Sequence, residues 1–236
     1  MFEVRNIAFS YRDRKVLRDV SFVVSPGETV SVVGANGVGK TTLLRILATL
    51  AIPESGSVLI DGQDALARPI RYRRQLGYLP ERPALYEDMT VKSYLEYRAA
   101  LKGELGKRIR RRVGEAAEMC QVTAHLSSSI RSLSFGLKKR VALADAVLLR
   151  PRVLLLDDFL SGLDLGMREA AGSVLSAVAA FSSVIVTGHE IGDLARWSTR
   201  FLVLRDGVVA AAVPAAGVEA GVLAARVASV LKGGGS

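Results

Sequence analysis

The sequence predicts an α/β fold with three parts: an antiparallel β part, a helical part and a core of parallel strands. The first sixty residues contain alternating or apolar runs separated by Gly- and Pro-containing turns, which predicts the antiparallel part. Helical periodicity follows over residues 90–149. Two short apolar runs, at 153–156 and 184–186, are typical of central parallel strands. The other predicted strands cover residues 4–9, 16–24, 29–33, 57–60, 201–204 and 208–213, and a helix is expected after Gly39.

The composition supports one large hydrophobic core. The chain has 236 residues, of which 50% are hydrophobic, and its mean hydropathy is +0.28. These values exclude intrinsic disorder, collagen-like repeats and small disulfide-rich scaffolds. We therefore predict a single domain over residues 1–232, with a helical subdomain at about 82–150 and a flexible Gly/Ser tail at 233–236.

The charge balance indicates an anionic partner. Lys and Arg number 32 against 23 Asp and Glu, a net charge of +9, and residues 82–150 hold 14 of the basic and 7 of the acidic residues. This basic stretch fits either a solvated helical face or a docking surface beside a membrane. Charge alone does not distinguish nucleotide phosphate, nucleic acid and a membrane surface as the partner.

The cysteine count and the apolar runs set the expected compartment. Cys120 is the only cysteine, so an intrachain disulfide is excluded, and the N-terminus lacks a signal-peptide pattern, which makes the cytosol the default. Residues 170–189 carry no formal charge, but serines and a threonine interrupt the run. We interpret it as a helix, a break and a short buried strand rather than a membrane span.

A phosphate-binding loop follows the third predicted strand and precedes a helix. Its glycines allow backbone N–H groups to surround phosphates, Lys40 reaches the β- and γ-phosphates, and the Thr41 hydroxyl is a ligand for Mg²⁺. The alternative is an ordinary Gly-rich turn, but the strand, lysine, threonine and helix are all in register. The loop reads Gly34-Ala35-Asn36-Gly37-Val38-Gly39-Lys40-Thr41-Thr42.

A carboxylate follows the apolar run at 153–156. A nucleotide triphosphatase needs such a group to hold Mg²⁺ from the end of a buried strand, and Asp157 has this position. Asp158 comes directly after it. The loop and this strand together predict a P-loop NTPase core.

From these motifs and their order, the sequence resembles the ATP-binding cassette (ABC) ATPases over nearly its whole length. The segment Leu133-Ser134-Phe135-Gly136-Leu137 is similar to the family's signature, usually Leu-Ser-Gly-Gly-Gln. Ser134 is well placed to cap the following helix, where a hydroxyl and free N–H groups offer an anion site. The resemblance implies that Ser134 and Gly136 meet the γ-phosphate of ATP held by an opposite subunit, in a head-to-tail dimer.

Five further residues match the family's motifs. By resemblance, Tyr11 stacks on adenine with Val16 as a side wall, and Glu81 stands in the loop that senses Mg²⁺ and contacts the membrane partner. The family's D-loop corresponds to the segment that ends at Asp164, and its switch histidine corresponds to His189. The implied cofactors are ATP and Mg²⁺.

The sequence also departs from the family pattern. The general base of the family is a Glu directly after the strand Asp, and here that residue is Asp158. Because its side chain is one methylene shorter, we predict slow hydrolysis. Phe135 and Leu137 replace a Gly and the Gln of the usual signature, and Phe159-Leu160 replaces the common Pro-Thr. These changes favour a heteromeric pair with one better site.

The leading functional hypothesis is a stand-alone ATPase subunit at the cytoplasmic face of the membrane. It would pair with a second ABC ATPase subunit and with permease subunits on separate chains, and it would bind no nucleic acid. The segment 79–103 looks most like exporter-type ATPases. Two alternatives stay open: a soluble, non-transport ABC ATPase, and a regulatory module that clamps ATP with little turnover.

Overall fold

Ten strands form one mixed sheet in the part of the chain that the structure covers. The structure is a computed structural model, and it describes residues 1–163 and 165–233. The sheet order is β5-β4-β1-β2-β10-β9-β3-β8-β7-β6. The strands are β1 (Phe2–Tyr11), β2 (Arg14–Val24), β3 (Thr29–Val33), β4 (Ser55–Ile60), β5 (Gln63–Asp64), β6 (Leu76–Leu79), β7 (Val153–Leu156), β8 (Ser183–Thr187), β9 (Arg200–Arg205) and β10 (Val208–Pro214).

The sheet has an antiparallel end and a parallel end, as the sequence predicts. Strands β5, β4, β1 and β2 pair antiparallel, whereas β9, β3, β8, β7 and β6 pair parallel. The hairpin partner of β9 is β10, which also joins the two ends through a parallel pairing of Val208 with Asp19. The predicted α/β class, with a P-loop NTPase core and an antiparallel β part, is confirmed.

The helices cover both faces of the parallel strands. They are α1 (Lys40–Leu47), α2 (Pro69–Arg73), α3 (Val91–Leu101), α4 (Lys107–Met119), α5 (Phe135–Val147), α6 (Leu165–Ala179), α7 (Ile191–Ala195) and α8 (Ala220–Lys232), with 3₁₀ turns at Thr123–His125 and Ile130–Ser132. The helices expected after Gly39 and within 90–149 are present.

The core has two layers, because successive side chains along a buried strand point alternately to its two faces. In β7, Val153 and Leu155 pack in the layer that contains α1 and the antiparallel strands, while Leu154 and Leu156 pack with α3 to α6. This follows from the two-residue period of a strand, which sends neighbouring side chains to opposite faces. A strand buried on both faces therefore has an unbroken apolar sequence.

The last helix, α8, ends at a glycine. Gly233 is its C-cap, with φ of 87°, at the start of the expected tail at 233–236. Glycine is favoured there because the left-handed conformation carries no Cβ penalty. Residues 234–236 and Asp164 lie outside the described residues.

Candidate functional site

The carboxyl ends of four neighbouring strands meet at one cleft. The phosphate loop follows β3, His189 follows β8, Asp157 follows β7 and Glu81 follows β6. Ligands of parallel α/β sheets bind outside these strand ends. The cavity there has a volume of about 520 Å³, which lies in the size range of ligand pockets. It is lined by Tyr11, Arg14, Val16, Asn36, Gly37, Gly39, Lys40, Thr41, Thr42, Glu81, Asp157, Asp158, Thr187 and His189.

Two glycines allow the phosphate loop to follow its path. Gly39 has φ of 113°, and a Cβ there would lie 2.9 Å from a methyl group of Val16. A Cβ at Gly34 would lie 2.4 Å from the carbonyl oxygen of Leu204. Gly34 and Val38, two of the predicted nucleotide-binding residues, do not line this cavity. Val38 packs against the core beneath it.

Lys40 lies across the phosphate loop. Its ammonium group donates to the carbonyl oxygens of Gly34 at 2.8 Å and Ala35 at 3.1 Å. Burial lowers the pKa of Lys40, against the opposing effect of the negative charges of Asp158 and Asp157. A phosphate group in the loop would offer this cation a charged partner in place of two neutral carbonyl groups.

Two threonines orient the Asp157 carboxylate. The Thr187 hydroxyl donates to Oδ1 of Asp157 at 2.7 Å, and the Thr41 hydroxyl donates to the same oxygen at 3.1 Å. The backbone N–H of Asp158 donates to the Thr187 hydroxyl at 3.0 Å. The hydroxyl of Thr187 is therefore shared between the two acidic residues.

The donor set at Asp157 fits a magnesium ion. Oδ2 of Asp157 is buried without a hydrogen-bond partner, an arrangement that a bound cation would satisfy. Burial raises the pKa of Asp157, and the charges of Glu81 and Asp158 add to this, which a divalent cation would reverse. Among the described residues no group of three His, Cys, Asp or Glu forms a metal cluster. Phosphates and water would complete the shell, as is usual for Mg²⁺.

Asp158 and His189 face each other at the mouth of the cleft. Nδ1 of His189 lies 3.4 Å from Oδ1 of Asp158. The imidazole is 55% exposed and the Asp158 side chain 26% exposed, so both can reach a ligand. Asp158 has φ of 43°, a left-handed conformation that Asp tolerates better than most residues. This conformation turns the chain sharply after β7.

Tyr11 and Val16 form the far wall of the cleft. They lie on either side of the turn between β1 and β2, and Tyr11 is 47% exposed with its ring 4.8 Å from that of Phe9 in an edge-to-face contact. The exposed ring face is available for stacking on a planar base. The sequence analysis missed Arg14, which lies in the same wall and adds a positive charge.

Thr187 is the second cavity residue that sequence reasoning missed. Its position directly after the predicted apolar strand at 184–186 is a signal of the same kind as that of Asp157, and the structure makes it the last residue of β8. The pairing of Leu156 with Val186 is what places it beside Asp157. That pairing is a long-range contact, which the local pattern does not contain.

The signature segment lies outside this cavity. Ser134 is the N-cap of α5 and accepts a hydrogen bond from the Leu137 N–H at 3.3 Å. A Cβ at Gly136 would lie 2.0 Å from the sulfur of Met167, so a glycine is needed there for α5 to pack against α6. The structure thus brings neither residue to the cleft of its own chain. Asp164 lies outside the described residues.

Comparisons with known proteins agree with this geometry. The sequence profile of the ABC transporter family matches residues 17–161. An uncharacterized ABC transporter ATP-binding protein, YxlF of Bacillus subtilis, is 31% identical over 89% of this chain and 69% of its own. The spermidine/putrescine import ATP-binding protein PotA of Pasteurella multocida is 32% identical over 88% of this chain, which spans only 56% of that relative.

A solved structure shows the same fold. The dimeric bacterial ABC transporter cassette MJ0796 aligns with a TM-score of 0.83 and 26% identity, over 92% of this chain and 100% of the other. Within residues 1–163 and 165–233, no helix has the length and apolar character needed to cross a membrane. The chain belongs to the ABC transporter family, as an ATP-binding subunit that hydrolyses ATP to drive transport.

Proposed function

We propose that the cleft at the strand ends is the ATP site and that Asp158 is its general base. The observation that carries this proposal is the meeting of Lys40, Asp157, Asp158 and His189 at the ends of neighbouring strands. Each has a side chain suited to phosphoryl transfer: a cation for phosphates, an oxygen ligand for a metal, a carboxylate base and an imidazole donor.

Different residues of the cleft bind different parts of the nucleotide. Tyr11 stacks on the adenine with Val16 beside it, and the loop N–H groups with Lys40 bind the phosphates. Thr41, Asp157 and Glu81 line the cleft and would hold Mg²⁺, which would neutralise charge on the phosphate oxygens. The remaining loop residues that contact the phosphates are Asn36, Gly37, Gly39 and Thr42.

The chemical step uses two side chains at the mouth of the cleft. Asp158 accepts a proton from the attacking water, and His189 contacts the γ-phosphate and orients the carboxylate through its 3.4 Å approach. Because Asp158 has a short side chain, we propose slow turnover. The same feature favours a second candidate, a regulatory subunit that clamps ATP with little hydrolysis, and a turnover assay separates the two.

We also propose that the active form is a head-to-tail pair with a second ABC ATPase subunit. Ser134 caps α5 at the surface, and the first N–H groups of a helix offer a site for an anion. In the pair, Ser134 and Gly136 would meet the γ-phosphate on the opposite subunit. The dimeric structure of the similar cassette MJ0796 supports a paired form.

The membrane partners are permease subunits on separate chains, and the direction we propose is export. Segment 79–103 supports export by its resemblance to exporter-type ATPases. The chain would work at the cytoplasmic face of the membrane, where ATP is available. Each nucleotide state would favour a different conformation of the permease, which is how ATP use shifts the transport equilibrium.

Co-purification tests the partnership. The tagged chain is isolated from a gently solubilised membrane fraction of its host with ATP and Mg²⁺, and Lys40→Ala is purified in parallel. We expect a polytopic membrane protein in stoichiometric amount with the unmodified chain. Repeated recovery of soluble partners alone would refute the membrane proposal and favour a cytosolic ATPase.

A deletion experiment tests the direction. If the chain powers export, cells without it should accumulate at least one compound inside and lose it from the medium. Restoring the unmodified chain should reverse both changes, and restoring Lys40→Ala should not. Depletion inside the cells with excess in the medium would instead indicate import.

A further inference from the structure

Lys139 joins the helix of the signature segment to the loop that carries Asp158. It lies in the second turn of α5, and its side chain crosses to the segment after β7. Its ammonium group donates to the carbonyl oxygen of Phe159 at 3.1 Å and to that of Ser161. The residue is 5% exposed, so this contact is almost entirely shielded from water.

The segment 158–161 is held at two points. At its start, the Asp158 N–H donates to the Thr187 hydroxyl at 3.0 Å. At its end, Lys139 binds the carbonyl oxygens of Phe159 and Ser161. Between these points the Ser161 N–H donates to the Asp158 carbonyl oxygen at 3.2 Å, which closes a tight turn. The direction of the Asp158 carboxylate depends on this turn, because Asp158 has a left-handed φ of 43°.

Burial makes a lysine at position 139 energetically unfavourable. Moving an ammonium group out of water is unfavourable unless hydrogen bonds and nearby charge compensate. Here the compensation comes from two carbonyl groups, from the Phe135 ring 5.2 Å away and from the negative charges of Asp158 and Glu81. Burial nevertheless lowers the pKa of Lys139.

We propose that Lys139 is a positioning residue for the hydrolysis of ATP. By binding the carbonyl oxygens of Phe159 and Ser161, it fixes the 158–161 turn and aims the Asp158 carboxylate at the attacking water. Lys139 does not touch the nucleotide of its own cleft, since it is not among the cavity-lining residues. The inference rests on the proposed role of Asp158 as the base.

The test is Lys139→Met in the full chain, assayed with the partner subunits that co-purify with it. Methionine has nearly the same length but no charge and no N–H donors. Because a misplacement of about 1 Å can cost about 100-fold, we expect kcat to fall about 10- to 100-fold while the Kd for ATP stays within about twofold. Lys139→Arg keeps the cation and its donors and should recover most of the lost kcat.

Lys138→Met is the matched control. Lys138 is the neighbouring residue on α5, but its ammonium group pairs with Glu87 at 2.6 Å. We expect this variant to keep kcat within about twofold, since an exposed pair contributes little. An equal fall in kcat for both lysine variants, or no recovery with Lys139→Arg, would overturn the positioning role. If Lys139→Met fails to fold, the comparison of Lys139→Gln with Lys139→Arg gives the same decision.

The role of Asp158 is tested separately by Asp158→Asn. We expect that change to abolish turnover, and adding Lys139→Met to it should have no further effect, because the base is already absent. If Asp158→Asn retains turnover, the proposed base is wrong, whatever Lys139 does. If Asp158→Asn abolishes turnover but Lys139→Met leaves kcat unchanged, the base stands and only the inference about Lys139 is wrong.

Discussion

Replacing Asp158 with Glu should accelerate ATP hydrolysis. The backbone at this position is fixed, because the Asp158 N–H donates to the Thr187 hydroxyl at 3.0 Å and the following turn is closed. Because the backbone is held in place, the Asp158 carboxylate cannot move far toward the expected position of the γ-phosphate. Its Oδ1 lies instead 3.4 Å from Nδ1 of His189. A longer side chain is the simplest way to extend the base into the cleft.

The expected size of the effect follows from this geometry. One added methylene extends the side chain by a single C–C bond, about 1.5 Å. A productive base must come within about 2.6–3.2 Å of its water, so a side chain that is shorter by this amount leaves the carboxylate farther from the water than is optimal and slows proton transfer. A misplacement of about 1 Å costs about 100-fold in rate. We therefore expect Asp158→Glu to raise kcat by about 100-fold, or about 2.7 kcal/mol in activation free energy.

The assay is phosphate release at saturating ATP by the chain with its co-purified partners. The KM for ATP should change little, because Asp158 is expected to act on the water and not on the nucleotide. Lys40→Ala is the control for hydrolysis at this cleft and should abolish phosphate release. If Asp158→Glu leaves kcat unchanged while Lys40→Ala abolishes turnover, the short side chain of Asp158 does not limit the rate of hydrolysis.

Two further predictions concern folding stability. Asp145→Asn should destabilise the chain by about 3 kcal/mol or more in urea unfolding, because it leaves the partly buried cations of Arg98, 2.9 Å from Oδ2, and Lys102, 2.7 Å from Oδ1, without their partner. Glu28→Gln should lower the melting temperature near neutral pH but not in acid. Burial raises the pKa of Glu28, but the hydrogen bonds from Arg200 and from the Ser25 N–H, together with the charge of Arg200, bring it below its ordinary value. The stabilisation is therefore present above the unfolded pKa and is lost as the pH falls through the native pKa.

Each stability prediction has a control. Asp88 pairs with Arg131 at the surface and its side chain is 86% exposed, so Asp88→Asn should cost less than about 1 kcal/mol. If it costs as much as Asp145→Asn, burial of the Asp145 cluster is not the cause. For Glu28, the melting temperatures of the unmodified chain and Glu28→Gln should converge once the pH falls below the native pKa of Glu28. A constant difference across pH would show that the pair with Arg200 does not cause the stabilisation.

The fold and the phosphate loop were predictable because their signals are local. Strand, glycines, Lys40 and helix lie within one short stretch of chain, and Asp157 directly follows an apolar run. Such patterns reflect the two-residue period of strands and the turn preference of glycine, which act over a few residues. Tyr11 was also predictable, although only through the family resemblance. The structure places Lys40, Asp157 and Tyr11 at one cavity.

The residues missed by sequence reasoning depend on long-range pairing. Thr187 reaches Asp157 only because β8 pairs in register with β7. The need for a glycine at position 136 arises from Met167 of another helix, because an added Cβ would lie 2.0 Å from its sulfur. Lys139 contacts the carbonyl oxygen of Phe159, twenty residues away along the chain. The residue pattern within a single helix or strand does not predict these contacts, because their partners lie in other elements.

The net positive charge of residues 82–150 is another feature that composition alone could not interpret. The sequence left open whether it is a solvated face or a docking surface. Part of it is internal, because Lys139 is buried against backbone carbonyl groups and Lys102 pairs with Asp145. Exposed cations are available to an external partner, among them Lys107 and Arg108 at the start of α4. A docking test should therefore change these two residues, because loss of the buried cations would destabilise the protein whether or not the surface binds anything.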